Sequence, residues 1–167
     1  MKVFKTADIR NISLLGHRGS GKTTLIESLL YVKDYIKKKG DVEAGTTVSD
    51  FDKEEVRRLF SINTSLIPIE HEECKFNFLD TPGYFDFVGE VVSSLRVSGS
   101  AVLVVDATAG VEVGTEKAWR MLEERKLPRI IYINKMDKGY INYEKLLYEL
   151  KEKFGKKIAP FCVPIGE

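Results

Sequence analysis

Cysteine is scarce: Cys74 and Cys162 stand far apart, outside any C-x-x-C or histidine-rich setting. That excludes a disulfide-stapled scaffold and a zinc site of ordinary spacing, leaving buried or half-buried free thiols in a reducing compartment. Long apolar runs are also missing. Nothing approaches the roughly 20 residues of a membrane span, and Met1 to Arg10 carries no signal-peptide core, so the expectation is a cytoplasmic protein with no membrane contact. Net charge is nearly absent too, at +1 from 26 basic and 25 acidic side chains. No general attraction to nucleic acid follows, direct DNA binding is not expected, and any such contact must be local. There is no internal repeat and no low-complexity segment.

What remains is an ordinary globular composition, 43% apolar and 31% charged over 167 residues. That fits one domain with a sizeable core, taken as 1–167. The chain is organised around Ile12 to Thr24, I-S-L-L-G-H-R-G-S-G-K-T-T. Ile12, Ser13, Leu14 and Leu15 read as a short buried strand, and Leu25, Ile26, Leu29 and Leu30 as the start of a helical stripe. Between them lies G-x-x-x-x-G-K-T, the phosphate-loop pattern in its strand–loop–helix setting. Glycine lets backbone N–H groups close on an anion, and the helix N-terminus adds partial positive charge. Gly16, His17, Arg18, Gly19, Ser20, Gly21, Lys22, Thr23 and Thr24 are therefore the candidate phosphate cradle. Lys22 would reach the outer phosphates, and the Thr23 hydroxyl would bind Mg²⁺. The pattern arises by chance in roughly one chain per hundred or two of this length, so its flanks matter.

The first helix is expected to run through Ile36 into Lys37-Lys38-Lys39 and stop at Gly40, a solvated helix end. From Asp41 to Asn63 apolar residues thin out, and a connection this long is functional or mobile. Ile62 to Glu70 reads as an edge strand interrupted near Pro68. Lys75 to Leu79 is a strand ending in Asp80-Thr81-Pro82-Gly83. Asp80 there would hold Mg²⁺, through water, and the Gly83 N–H would face a terminal phosphate.

A helix follows with Phe87, Val88, Val91, Val92 and Leu95 facing inward. Ala101 to Val105, closed by Asp106, is a central strand buried on both faces. Thr115, Ala118, Trp119 and Leu122 mark the next helix, with Trp119 in the core. Strand Arg129 to Ile133 runs into Asn134-Lys135-Met136-Asp137. A carboxylate at Asp137 can accept both the N1–H and the amine of guanine, donors adenine does not offer together. Asn134 would contact the base's other edge or pin neighbouring loops, and the stem of Lys135 would cover the ring. Tyr143 to Phe154 gives a last helix, and Ile158 to Ile165 reads as a final short or edge strand.

These three motifs, each after a strand and in this order, resemble the GTPase domain of translation factors. Phe85-Asp86-Phe87-Val88-Gly89-Glu90-Val91 and Val105-Asp106-Ala107-Thr108-Ala109-Gly110-Val111-Glu112 are similar to stretches of elongation factor G and its paralogues. The resemblance implies an α/β P-loop NTPase fold: a doubly wound, mostly parallel sheet with helices on both faces. It implies GTP and GDP as ligands with Mg²⁺, and hydrolysis stimulated by the ribosome. Lys22 and Gly83 would act on the γ-phosphate. Three positions depart from the family. Tyr84 stands where a histidine usually positions the attacking water, so it either holds water through its hydroxyl or merely packs against Phe85 or Phe87. Ser61 stands near the threonine that ligates Mg²⁺ from the first switch. The phosphate loop lacks the family's usual acidic residue. These differences resemble a divergent branch with slow intrinsic turnover. The family carries a further guanine-contacting loop, a closing helix and more domains, so the chain reads as an N-terminal part, itself monomeric. A guanine-nucleotide switch outside translation and an ATP-using P-loop enzyme are the competing readings; Asn134 and Asp137 oppose the second.

Overall fold

Strand β4 (Ser100–Asp106) shows how the core is divided. Its alternate residues point to opposite faces: Ala101, Leu103 and Val105 enter one apolar cluster, Val104 and Val102 the other. The computed structural model describes residues 3–165, so Met1 and Lys2, which begin the polar lead-in, and Gly166 and Glu167 lie outside the described residues. The other strands are β1 (Ile9–Leu15), β2 (Ser65–His71), β3 (Cys74–Asp80) and β5 (Arg129–Asn134). The order across the sheet is β2-β3-β1-β4-β5. All neighbours are parallel except β2 and β3, which form an antiparallel hairpin.

Helix α1 (Lys22–Val32) brings Ile26 and Leu30 against Leu14, Val104, Ile67 and Ile69 on one face. On the other face α3 (Val88–Val97), α4 (Val113–Glu124) and α5 (Tyr143–Phe154) bring Val91, Leu95, Ala118, Leu122, Leu146 and Leu150 against Leu15, Ala101, Leu103 and Val105. Each such buried aliphatic side chain contributes about 1.5–3 kcal/mol. The doubly wound α/β fold expected from the motifs is the one observed. A further short helix, α2 (Lys53–Arg58), lies outside the sheet and is started by a capping box between Asp52 and Glu55. Trp119 packs against the cluster under α3, α4 and α5, stacked on Phe154 with centroids 4.5 Å apart.

Several boundaries differ from the sequence reading. Helix α1 stops at Val32 rather than near Gly40. Asp34 adopts a left-handed φ of 57°, Tyr35 N–H reaches Leu30 O at 2.9 Å, and Asp34 N–H reaches Tyr31 O at 3.1 Å. This is a Schellman closure with aspartate in the place of glycine. Lys37, Lys38 and Lys39 lie in the irregular segment that follows. Strand β2 is continuous through Pro68, because an edge strand has one side without a ladder and the missing N–H costs nothing there. Residues 158–165 form no strand: Pro160 and Pro164 remove two donors, and 159–165 are exposed. Val88 is exposed, and so is Cys162, whereas Cys74 is half-buried; both cysteines are free.

Between α1 and β2 the chain is held by carboxylates rather than by apolar contacts. Glu27, fully buried on α1, accepts the N–H of Gly40 at 2.9 Å and of Val48 at 2.6 Å. Glu55, equally buried, accepts from Asp52, Ile62 and Asn63. Among the described residues no helix is long and apolar enough to cross a membrane.

Candidate functional site

The parallel register sets the C-terminal ends of β1, β3, β4 and β5 side by side. Leu14 pairs with Asp80 and Asp106 with Asn134. Open α/β sheets take ligands at this edge, where loops from several strands converge. All three sequence motifs emerge there.

The loop after β1 turns at Gly16, where φ is 147°, and re-enters helix at Gly21, where φ is 94°. A side chain at Gly16 would strike the Val104 carbonyl, and one at Gly21 would strike the Asn134 amide. Both positions thus need glycine for space as well as for backbone angle. Lys22 lies beneath the loop, only 6% exposed, and its ammonium donates to Gly16 O and His17 O, each at 3.1 Å. Burial lowers its pKa to about 8, against the opposing pull of the Asp80 and Asp50 carboxylates. His17 joins the loop to the start of α4: its Nδ1 accepts from Gly114 N–H at 3.3 Å, and its Nε2 lies 3.4 Å from Glu112. Gly19 and Arg18 lie towards solvent; Ser20 is buried with its hydroxyl unpartnered. Thr24 is exposed on the first turn of α1.

Thr23 Oγ1 donates to Asp80 Oδ2 at 2.8 Å and stands 3.4 Å from Ser61 Oγ. The hydroxyl of Ser61 therefore reaches the same point, from the far side of the long connection. Burial raises the Asp80 pKa to about 6, with Lys22 and then the Thr23 hydrogen bond opposing. Asp80 Oδ1 and Ser49 Oγ, both buried, lack partners in hydrogen-bond geometry, although that hydroxyl is near enough to favour the charged carboxylate. Asp50 is also buried here, its pKa raised by burial against the pull of Ser61. Hydroxyl and carboxylate oxygens with an orphaned Asp80 oxygen are the donor set a hard cation takes. Among the described residues no three acidic, histidine or cysteine side chains cluster as a metal cage. Mg²⁺ does not ask for one, since it commonly uses one or two carboxylates together with phosphates and water.

Gly83 meets this group from the β3 side. A Cβ there would sit 2.8 Å from Arg18 N, Arg18 Cα and Lys22 Nζ. The Gly83 backbone and the lysine ammonium are thus brought to one place. Tyr84 packs on Phe60, with centroids 4.5 Å apart, and carries the Arg18 guanidinium over its ring at 4.8 Å. Phe60 also lies 6.3 Å from Phe87, while the side chain of Phe85 lies outside what is described. A cavity of about 30 Å³ opens beside Gly16, Gly83 and Tyr84, room for a single water.

After β5, Asn134 Nδ2 donates to Ser20 O at 2.9 Å, pinning the phosphate loop. This is the loop contact considered for Asn134. Lys135 adopts a left-handed φ of 62°, and its ammonium meets Asp106 Oδ2 at 2.5 Å. Burial would raise the Asp106 pKa, but Lys135 and Thr108 outweigh it and hold the carboxyl below its usual range. Asp137 is exposed on the turn that Lys138 N–H closes onto Lys135 O.

Four contributors were missed in the sequence. Asp50, and Asp106 as the partner of Lys135, depend on long-range placement and leave no local signal. Glu27 and Glu55 did leave one: Glu27 interrupts the apolar stripe of α1, and Asp52 to Glu55 has capping-box spacing.

The Elongation factor Tu GTP binding domain family matches residues 7–163. An elongation factor G-like protein of Thermotoga maritima is 40% identical over 159 residues, 95% of this chain and 22% of that protein. The mitochondrial ribosome-releasing factor 2 of Rattus norvegicus is 40% identical over 161 residues, 96% of this chain and 21% of that protein. A crystal structure from Thermus thermophilus superposes with a TM-score of 0.85 at 42% identity, over 89% of this chain and 22% of that one. The chain thus spans about a fifth of the length of these relatives. With its phosphate loop, its strand order and its base-side motif all in place, the chain belongs to the elongation factor Tu GTP-binding domain family, as an elongation-factor-G-like GTP-binding domain.

Proposed function

We propose that this domain binds GTP with Mg²⁺, hydrolyses it slowly to GDP, and switches conformation as it does so, within a protein that works on the ribosome in the cytoplasm. The observation that carries the reading is the meeting of Lys22 Nζ, the Gly83 backbone, Thr23 and Asp80 at one strand edge. Ribosomal work is supported by the names of the relatives, one of them a ribosome-releasing factor. Lys22, with the N–H groups of the Gly16 to Thr24 loop, holds the β- and γ-phosphates, and Gly83 donates its N–H to the γ-phosphate. Thr23 and Ser61 supply hydroxyl oxygens to Mg²⁺, and Asp80 a carboxylate through water. The cation, when bound, offsets phosphate charge. Asp137 accepts from guanine, Lys135 lies along the ring, and Asn134 keeps the base loop and the phosphate loop in register.

Water attacks the γ-phosphorus in line, GDP leaves with the bond electrons, and the water proton ends on inorganic phosphate. Lys22 and the backbone donors stabilise charge on the equatorial oxygens. Tyr84, a phenol where a histidine could carry positive charge, holds the water by its hydroxyl or only fills space. Turnover is therefore expected far below the ~1–10³ s⁻¹ of typical enzymes. Competition binding with GTP, GDP, ATP and XTP tests the base assignment, and ribosome co-sedimentation of the full-length protein tests the partner. ATP displacing a labelled guanine nucleotide as well as GTP does would overturn the reading.

A further inference from the structure

The phosphate-loop pattern fixes Gly16, Gly21, Lys22 and Thr23 but leaves the residue at 18 free. Here it is arginine, and its surroundings give it a task. Its backbone N and Cα are pressed against Gly83, on the side where Lys22 Nζ arrives. Its side chain reaches over Tyr84, with Cζ 4.8 Å from the centroid of the ring. Among the described residues no carboxylate pairs with it. The guanidinium over the ring carries five N–H donors in a fixed planar fork, which an oxygen arriving beside the ring can accept. Tyr84 is in turn backed by Phe60, at 4.5 Å.

We propose that Arg18 is a catalytic residue, the cationic donor at the terminal phosphate, with Tyr84 as the platform that orients it. The inference rests on the GTP-hydrolysis reading above. It supplies part of the charge that Tyr84 does not, since a phenol has no cationic form, while intrinsic turnover stays slow. The site then divides between two side chains what one imidazolium could do: Arg18 brings charge and Tyr84 brings position. In the step itself a water oxygen forms the new bond to γ-phosphorus while the bond to the β,γ-bridging oxygen breaks. Arg18 takes no part in proton transfer, donating hydrogen bonds to oxygens whose negative charge grows as that bond opens. An arginine supplied within the chain is effective because it needs no partner to deliver it, and arginines in such positions contribute ~10³–10⁵ to rate in other phosphoryl-transfer enzymes. The bland alternative is a surface stack that only covers Tyr84.

The test compares wild type, Arg18→Ala and Arg18→Lys in the full-length protein without ribosomes. It measures GDP affinity, single-turnover GTP hydrolysis, and capture of GDP with aluminium fluoride, which mimics the transferring phosphoryl group. The expected result for Arg18→Ala is hydrolysis slowed at least ~10²-fold with loss of aluminium fluoride capture, and GDP affinity within about twofold of wild type, because the contact belongs to the transition state. Arg18→Lys should regain part of the rate, having charge without the planar fork. Hydrolysis by Arg18→Ala at the wild-type rate or faster, with capture intact, overturns the proposal and leaves the GTPase reading standing. A loss of GDP affinity as large as the loss of rate also overturns it, as the mark of a merely structural role. Failure of the wild type to bind guanine nucleotide overturns both.

Discussion

Glu27 gives the sharpest handle on the long connection between α1 and β2. Its carboxylate is wholly inaccessible and accepts two backbone N–H groups, from Gly40 at 2.9 Å and Val48 at 2.6 Å. Between them the segment closes on itself through Gly45 N–H to Val42 O and Thr46 N–H to Asp41 O. Residues 40–48 thus form one small unit fastened to α1 at both ends by the same side chain. Hydrogen bonds to a charged acceptor are worth about 1.5–3 kcal/mol each. Once the unit opens, the released N–H groups reach water, so the pair is worth less than the plain sum. For Glu27→Ala we expect local opening to become easier by about 2–4 kcal/mol, a rise in amide exchange of roughly 30- to 10³-fold. Glu27→Gln keeps one acceptor oxygen and turns an amide donor towards the other N–H, so it should fall between. Hydrogen exchange read residue by residue over 40–48, with Leu14 and Leu103 of the sheet as internal controls, measures this. Equal exchange of 40–48 in Glu27→Ala and wild type would refute the tether. A uniform loss of protection that includes the sheet would refute it as well, as a general loss of stability rather than a local one.

Asp137→Asn should shift preference from GTP towards XTP, because xanthine places an oxygen where guanine has its amine and the new amide can donate to it; unchanged GTP preference in competition binding would remove Asp137 from base recognition. Thr23→Ala should weaken GTP mainly when Mg²⁺ is present, by titration with and without chelator, since it deletes the hydroxyl that meets Asp80 and Ser61. Lys22→Met should abolish GTP binding yet stabilise the nucleotide-free protein. Burial lowers the lysine pKa from 10.5 to about 8, so the penalty is absent above pH 10.5, grows as pH falls towards 8 and is complete below that. At neutral pH the wild type therefore bears a cost of about 3 kcal/mol, and denaturant titration at pH 7 and pH 10 should show the gap between variant and wild type shrinking at the higher pH.

The architecture was legible where apolar period and motif coincide. Ala101 to Val105, uninterrupted and closed by Asp106, read as a central strand buried on both faces, and Leu14 and Leu15 as part of the first strand, leading into the phosphate loop. Boundaries failed where a local closure outran the pattern. Asp34 ended α1 with a left-handed turn that its sequence neighbours, all helix-compatible, do not advertise. At 158–165 an apolar run was read as a strand, yet two prolines and the absence of a paired neighbour among the described residues leave it outside the sheet. The site divides in the same way. Lys22, Thr23, Asp80 and Asn134 follow from motifs because each motif is local. Asp50 and Asp106 enter through the fold, which no spacing along the chain encodes. Arg18 was visible only as one member of the phosphate cradle until Gly83 and Tyr84 were seen beside it.

The buried charges share one location, and that placement carries an argument about function. Lys22, Asp50 and Asp80 are each at most 6% exposed, and burial shifts the pKa of each towards its neutral form. Such groups weaken a fold unless they are matched, and a folded chain built for stability alone would replace them with apolar side chains. The match here is incomplete in a specific sense: Asp80 keeps an unpartnered oxygen, and among the described residues the hydrogen bonds of the Lys22 ammonium go to two carbonyls of the loop it lies under. A cation would complete the first and a phosphate the second, so the site lacks one charge of each sign, at adjacent points. Mg²⁺ with a nucleoside triphosphate brings both together. Binding should then raise stability by more than either ion alone, because each removes the penalty that the other's partner feels. Thermal unfolding with Mg²⁺ only, GTP with chelator, and both together measures that coupling. A shift for the pair no larger than the two separate shifts added would show the buried charges to be independent, and the argument from their placement would fall.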